Sequence, residues 1–420
     1  MTTTTQDTIA PPTGDRLAIQ GGQPVRTAPF PDWPVFDETD VEAVAAVVRG
    51  GVWGSAQGDG AVARFEQAFA AYCGVEHAVC LVNGTQALRV ALLAAGVGQG
   101  DEVIVPPYTF IATATAVLEA GAIPVFVDID AATFNLDPAR VAEAITPRTR
   151  AIIPVHFGGV AAAMDRLLEL AARHNLIVIE DACHAQGAEW QGRKLGTIGH
   201  LGCFSCQSSK NLNAGEGGII VTADATLAAA ARSLSNCGRV EGGAWYEHAA
   251  LGGNLRMTEM QGALLLSQLS RLEDQTARRD ANARYLDSLL TNVPGITPQR
   301  RPDQQTRGAY HLYLFRYFAN GFGGRPRAEF LRALQAEGIP ASGGYPVPLY
   351  HQPVFAHSNF GPLLRDYAAT LSYAGLRLPN VEEACAETAV WLTQNVLLAE
   401  RAAMDDIARA IGRIQAAWAV

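Results

Sequence analysis

Residues 78–128 read AVCLVNGTQALRVALLAAGVGQGDEVIVPPYTFIATATAVLEAGAIPVFVD, and their patterning decides the fold. Three short apolar runs, 78–82 (AVCLV), 102–106 (EVIVP) and 124–128 (PVFVD), have strand length, and between them 85–95 and 111–120 carry apolar residues at helical spacing. Upstream, Val62, Phe65, Phe69 and Tyr72 recur at helical spacing over 61–73, and Gly74 ends the pattern. Downstream come helix 137–145, strand 151–155, helix 163–174, strand 176–181, strand 201–206 and strand 217–222. Such alternation predicts an α/β fold, with a mostly parallel sheet covered by helices on both faces. In such sheets ligands bind beyond the carboxyl ends of the strands. Asn83-Gly84-Thr85, Asp181, and Ser205 to Lys210 all fall there.

The last of these segments carries the most chemistry. Lys210 lies in FSCQSSKNLNAGEGG (204–218), between a short apolar strand and a glycine-rich turn, where a lone lysine is placed to form a Schiff base. Ser205 and Gly-Glu-Gly-Gly (215–218) suit a phosphorylated cofactor, because small residues let hydroxyl and backbone donors approach phosphate oxygens. Pyridoxal phosphate (PLP) needs both features. Asn83-Gly84-Thr85 separates a strand from a helix, so its N–H groups and the Thr85 hydroxyl point to a phosphate at the helix N-terminus, the plainer reading being a threonine cap. A carboxylate at Asp181 can keep a pyridinium nitrogen protonated, or merely cap the next segment. Phe110 can lie flat on a cofactor ring, or pack in the core.

The 420 residues allow roughly two or three domains. Residues 1–16, Thr- and Pro-rich, read as a disordered tail with no secretion signal, 17–292 as the large domain, and 293–420 as a smaller C-terminal α+β domain that begins in the Pro- and Arg-rich stretch 293–307. A net charge of −9 gives no footprint for nucleic acid or for an anionic membrane, and no apolar run approaches the ~18 residues of a membrane span. The cytoplasm is the default location. Seven cysteines without framework spacing fit reduced thiols. Cys203 and Cys206, three apart on a strand, face opposite sides and hold no metal; none is predicted elsewhere.

From about residue 18 to 418 the chain resembles the DegT/StrS family of PLP-dependent sugar and cyclitol aminotransferases. The resemblance rests on Phe65-Glu66, Asn83-Gly84-Thr85, 101–106 (DEVIVP), 154–156 (PVH), Glu180-Asp181, Gly187-Ala188, Ser205 to Gly218, and 253–257 (GNLRM), in that order. It implies an aspartate-aminotransferase-like fold of type I. Lys210 is then the Schiff-base lysine and general acid/base, Asp181 the pyridinium partner, and Phe110 the ring-stacking aromatic. Gly84, Thr85 and Ser205 match phosphate contacts, and Asn254 matches a residue that reaches the phosphate from the neighbouring subunit, which implies a homodimer with a shared site. His184 stands where many sugar aminotransferases have glutamine; it is similar in this to 3-amino-5-hydroxybenzoate (AHBA) synthases, as is 237–239 (CGR). It is placed to bond the cofactor's phenolic oxygen, with a packed, satisfied imidazole as the alternative. Phe204 to Gln207 and 396–400 (VLLAE) resemble L-glutamine:scyllo-inosose aminotransferases.

The resemblance implies transfer of an amino group from L-glutamine or L-glutamate to a keto-cyclitol or keto-sugar. The rival within enzymes is an AHBA synthase-like dehydration and aromatisation using the same lysine. The related sugar 3-dehydratases carry histidine at the lysine position, so Lys210 argues against them. A non-catalytic PLP-binding sensor would need a DNA-binding module, for which the acidic chain offers no segment. The loop 343–351 (GGYPVPLYH) either borders the substrate pocket or packs between domains.

Overall fold

The computed structural model describes residues 16–55, 59–240, 242–244 and 246–419. The tail expected over 1–16 lies outside the described residues except for Arg16. The central sheet is built from β1 (His77–Leu81), β2 (Glu102–Val105), β3 (Ile123–Phe126), β4 (Thr149–Ile152), β5 (Ile177–Asp181), β6 (Leu201–Ser205) and β7 (Gly218–Thr222). Its spatial order is β1-β7-β6-β5-β4-β2-β3. All strands are parallel except β7, which runs antiparallel to both β1 and β6. β5, β6 and β7 are almost wholly buried, as expected of strands covered on both faces.

Helices fill the connections: α1 (Glu38–Gly50), α2 (Ala61–Cys73), α3 (Gly84–Ala94), α4 (Ala112–Glu119), α5 (Pro138–Ala144), α6 (Met164–His174) and α7 (Ala225–Ser235). Asp137 and Asp224 cap α5 and α7 by accepting first-turn N–H groups. α8 (Glu259–Leu290), opened by a Thr258/Gln261 capping box, spans 32 residues, about 48 Å. It packs on α1 and α2 at one end and on the helix Arg401–Trp418 further along.

The C-terminal unit is an antiparallel sheet in the order β8 (Ile296–Pro298), β9 (Leu312–Tyr317), β11 (Ala389–Thr393), β10 (Ala341–Ser342). Its core joins Leu286 and Leu290 of α8 to Phe315, Phe330, Ile407 and Ile411. Leu17 belongs to the same core, the Ala18 and Val25 N–H groups donate to Glu337 at 2.9 and 3.0 Å, and Arg26 pairs with Asp406 at 2.9 Å. The segment from residue 17 to about 26 thus rides on the C-terminal unit. The stretch 293–307 is anchored rather than free. Gln305 pairs with Trp190, Arg300 N–H donates to the Ala132 carbonyl, and Gln299 Nε2 donates to the Thr133 and Phe157 carbonyls.

Cys203 and Cys206 do enter opposite core layers, and all seven cysteines are free. Among the described residues no cluster could hold a metal ion, and no helix is long and apolar enough to cross a membrane.

Candidate active site

Asp181 ends β5 with its side chain 5% exposed. Its Oδ2 accepts the Thr113 hydroxyl of α4 at 2.7 Å and its Oδ1 accepts the Cys183 N–H at 3.2 Å, while Thr113 and Thr109 hydroxyls lie 3.0 Å apart. The carboxylate is therefore held in one orientation, with hydrogen bonds from both sides.

Lys210 comes from the long turn between β6 and β7. Because these neighbours are antiparallel, the turn folds back on itself: Cys206 N–H donates to the Gly217 carbonyl, Ala214 N–H to Cys206, and Ser208 N–H to Gly215. Lys210 N–H closes a further turn on Gln207 at 2.8 Å. Burial pushes the Lys210 amine below its usual pKa, with Cys183 and Asp181 pulling the other way. A depressed pKa enlarges the neutral, nucleophilic fraction of an amine near neutral pH.

The glycines of this turn are also required by packing. A Cβ on Gly218 would lie 2.1 Å from the Asn83 carbonyl oxygen, and one on Gly217, at φ +157°, would lie 3.0 Å from Cys206 Cβ and from Met257 Cε. Both are small because chain packs on chain there. The capping residue of α3 is also Asn83 rather than Thr85: its Oδ1 accepts the Gln86 N–H at 2.9 Å. Ala87 N–H bonds the Asn83 carbonyl, so the Gly84 and Thr85 N–H groups remain as donors at the positive end of the helix. A Cβ on Gly84 would sit 2.8 Å from Ser205 Cβ and 3.3 Å from Cys183 Sγ. The start of α3 is thus pressed on the end of β6, beside Ser205, whose hydroxyl accepts the Gln207 N–H at 3.3 Å.

His184 is 7% exposed, with Nδ1 accepting the Gly158 N–H at 3.3 Å, which leaves its proton on Nε2. Burial, then Lys210 and His311, hold it well below the ordinary histidine range, so the ring is neutral. Phe110 is 58% exposed after β2 and does not pack in the core. Asn254 is exposed, in a loop whose Leu255 carbonyl accepts the Val82 N–H at 2.9 Å. Tyr345 of the loop 343–351 packs edge-on to Trp391 at 4.8 Å and to Tyr108 at 5.6 Å, between the two sheets. Burial and then the Asp181 charge raise its phenol, so it is a protonated hydroxyl facing the site.

A half-buried lysine with a depressed pKa, an oriented carboxylate and N–H groups at a helix start beside a serine match the aldehyde, ring nitrogen and phosphate of PLP. The sequence model of the DegT/DnrJ/EryC1/StrS aminotransferase family matches residues 34–396. The chain belongs to this family. It is a PLP-dependent aminotransferase. A putative L-glutamine:3-amino-2,3-dideoxy-scyllo-inosose aminotransferase of Streptoalloteichus tenebrarius is 41% identical over 406 residues, covering 95% of this chain and 97% of that protein. The 3-amino-5-hydroxybenzoate synthase of Amycolatopsis mediterranei is 37% identical, covering 89% and 94%. The crystal structure of an AHBA synthase superposes with a TM-score of 0.82 at 35% identity, covering 93% of this chain and 100% of that one.

Around this candidate site stand further residues. Gln186 Nε2 donates to the Ser205 carbonyl at 2.7 Å, and its buried Oε1 has no hydrogen-bond partner among the described residues. Thr113 fixes Asp181. Asn211 Nδ2 donates to the Ala309 carbonyl at 2.8 Å. His311 stacks on His184 with ring centroids 4.3 Å apart. Asn211, next to Lys210, and Gln186, two residues past His184, had a local signal, whereas Thr113 and His311 had none.

Proposed function

We propose that the enzyme transfers the amino group of L-glutamine, or of L-glutamate, to a keto-cyclitol of the inosose class. The observation that carries the chemistry is the half-buried Lys210 amine beside the oriented Asp181 carboxylate. The substrate reading is supported by near full-length similarity to inosose aminotransferases.

In this reading Lys210 Nζ would hold the cofactor covalently and, once displaced by the donor's amine, would be the base that takes the donor's α-proton and the acid that gives it back two bonds away, the 1,3 shift of a transamination. Asp181 keeps a proton on the cofactor's ring nitrogen; Thr113 and the Cys183 N–H hold the carboxylate for that task. His184 donates its Nε2 proton to the phenolic oxygen. The Gly84 and Thr85 N–H groups and the Thr85 and Ser205 hydroxyls take the phosphate. Phe110, exposed after β2, would cover the ring face. PLP, when bound, supplies an electron sink for the α-carbon.

Asn254 completes the phosphate site of a second copy, in a homodimer. Supporting this, the loop around it exposes Val240 (49%), Tyr246 (77%) and Leu251 (97%), and Trp53 nearby in sequence to α2 is 55% exposed, apolar surface that a partner would cover. The protein works in the cytoplasm. The domain division at 292/293 stands as a proposal, with the segment after residue 17 riding on the smaller unit.

The test is the absorption spectrum of PLP-loaded protein before and after adding L-glutamine alone, followed by product analysis with candidate ketones. Conversion of the lysine-bound band to the pyridoxamine band, then an amino-cyclitol product, supports the reading. An aromatic amine product instead would assign the AHBA synthase-like chemistry, and an unchanged spectrum with both donors would reject transamination from them.

A further inference from the structure

His311 precedes β9 and lies 7% exposed between two elements of the site. Its ring covers His184 at 4.3 Å with the planes 33° apart. On its edge, Nδ1 is 3.3 Å from Asn211 Oδ1. Asn211 spends its amide on the Ala309 carbonyl, so its oxygen must accept and His311 Nδ1 must donate. His184 has the opposite tautomer, with Nδ1 accepting from Gly158. The backbone leaves no slack, since a Cβ on Gly159 would lie 2.5 Å from Tyr310 N and 2.8 Å from the His184 carbonyl oxygen. Charged and titratable groups facing the pair are Lys210 and, from α8, Arg279; Asp181 and Cys183 face Lys210 in turn, and Tyr345 faces Asp181.

We propose that His311 is a positioning residue for transamination: its Nδ1–H tethers Asn211 and with it the Lys210 turn, while its ring face holds His184 with Nε2–H aimed at the cofactor's phenolic oxygen. The second half rests on the role given to His184 above. A donor on that oxygen stabilises its negative charge and weakens its hold on the neighbouring nitrogen's proton. Loosening His184 therefore raises the pH midpoint of the lysine-bound cofactor's absorption change.

The two contacts separate by substitution. His311→Asn keeps a donor in the Nδ1 place but removes the ring, and is expected to raise the spectral midpoint by roughly one unit. His311→Phe keeps the ring but removes the donor; the midpoint stays near wild type and PLP is retained about fivefold more weakly in equilibrium dialysis. Asn211→Ala removes the same tether from the other side and reproduces the His311→Phe result. His184→Phe is the control for the underlying reading. If it leaves the midpoint unmoved, the role of His184 fails, and this half of the proposal with it. If it raises the midpoint while His311→Asn does not, or if His311→Asn and His311→Phe shift it alike, His311 does not position His184 and the proposal is overturned.

Discussion

Gly84→Ala tests whether the junction of α3 with β6 is the phosphate seat. Gly84 is not among the glycines with positive φ, so alanine meets no backbone strain and the whole cost is space. The added Cβ would lie 2.8 Å from Ser205 Cβ, 3.2 Å from Ser205 Cα and 3.3 Å from Cys183 Sγ. Carbon atoms rest at about 3.5–4.0 Å, so the helix start and the strand end must part by roughly 0.7–1.2 Å. Two of the three obstructing atoms belong to Ser205, one of them backbone, so no side-chain rotation relieves the clash. The parting moves the Gly84 and Thr85 N–H groups away from the Ser205 hydroxyl, and a phosphate can no longer meet all of them. Losing about one hydrogen bond to a charged group costs ~1.5–3 kcal/mol, or roughly 10- to 150-fold in PLP affinity. Lys210 and Asp181 are untouched, so kcat at saturating PLP falls by less than about tenfold. The assay is titration of cofactor-free protein with PLP, read by absorption, with circular dichroism to establish that the variant is folded. A folded variant that binds PLP within twofold of wild type would refute this placement of the phosphate.

Other substitutions probe the remaining groups. Lys210→Ala abolishes turnover, and borohydride no longer fixes the cofactor to the chain by mass spectrometry; turnover at the wild-type rate would sink the assignment. Asp181→Asn lowers kcat about 10³-fold, the scale of a lost acid–base contribution, with a smaller effect on PLP binding; equal rates in the two proteins would remove Asp181 from the chemistry. Far from the site, burial raises the Asp287 carboxyl from 3.8 to about 6 although the Tyr313 hydroxyl donates to it. A raised carboxyl pKa costs the folded state nothing below the unfolded value and its full penalty above the folded one, here roughly 3 kcal/mol, or ~1–2 kcal/mol after solvent screening. Asp287→Asn keeps the acceptor for Tyr313 and removes the penalty. It is expected to be more stable than wild type in urea at about pH 7.5 and to lose that advantage near about pH 4; an equal difference at both pH values would contradict the burial argument.

The sheet was legible because its strands are buried on both faces. Such strands read as continuous apolar runs, and each predicted run from 78–82 to 217–222 overlaps an observed strand. Asp181 and Ser205 become candidates by a related rule, that ligands bind beyond the carboxyl ends of parallel strands, and the structure places them at the ends of β5 and β6. That logic fails once a contact is made for the chain's own sake. The glycines at 217 and 218 suit a phosphate in sequence, but sequence does not show that a side chain there would also meet the Asn83 carbonyl and Met257. It fails again for groups delivered from far along the chain. Thr113 reaches Asp181 across 68 positions and His311 reaches Asn211 across 100, with nothing in the surrounding sequence to mark either contact. The lysine and the carboxylate stand out locally as candidates, because a charge beside an apolar strand is conspicuous. The donors that orient them are neutral and distant, and they are found only by following the hydrogen bonds outward from each buried charge until every donor and acceptor has a partner.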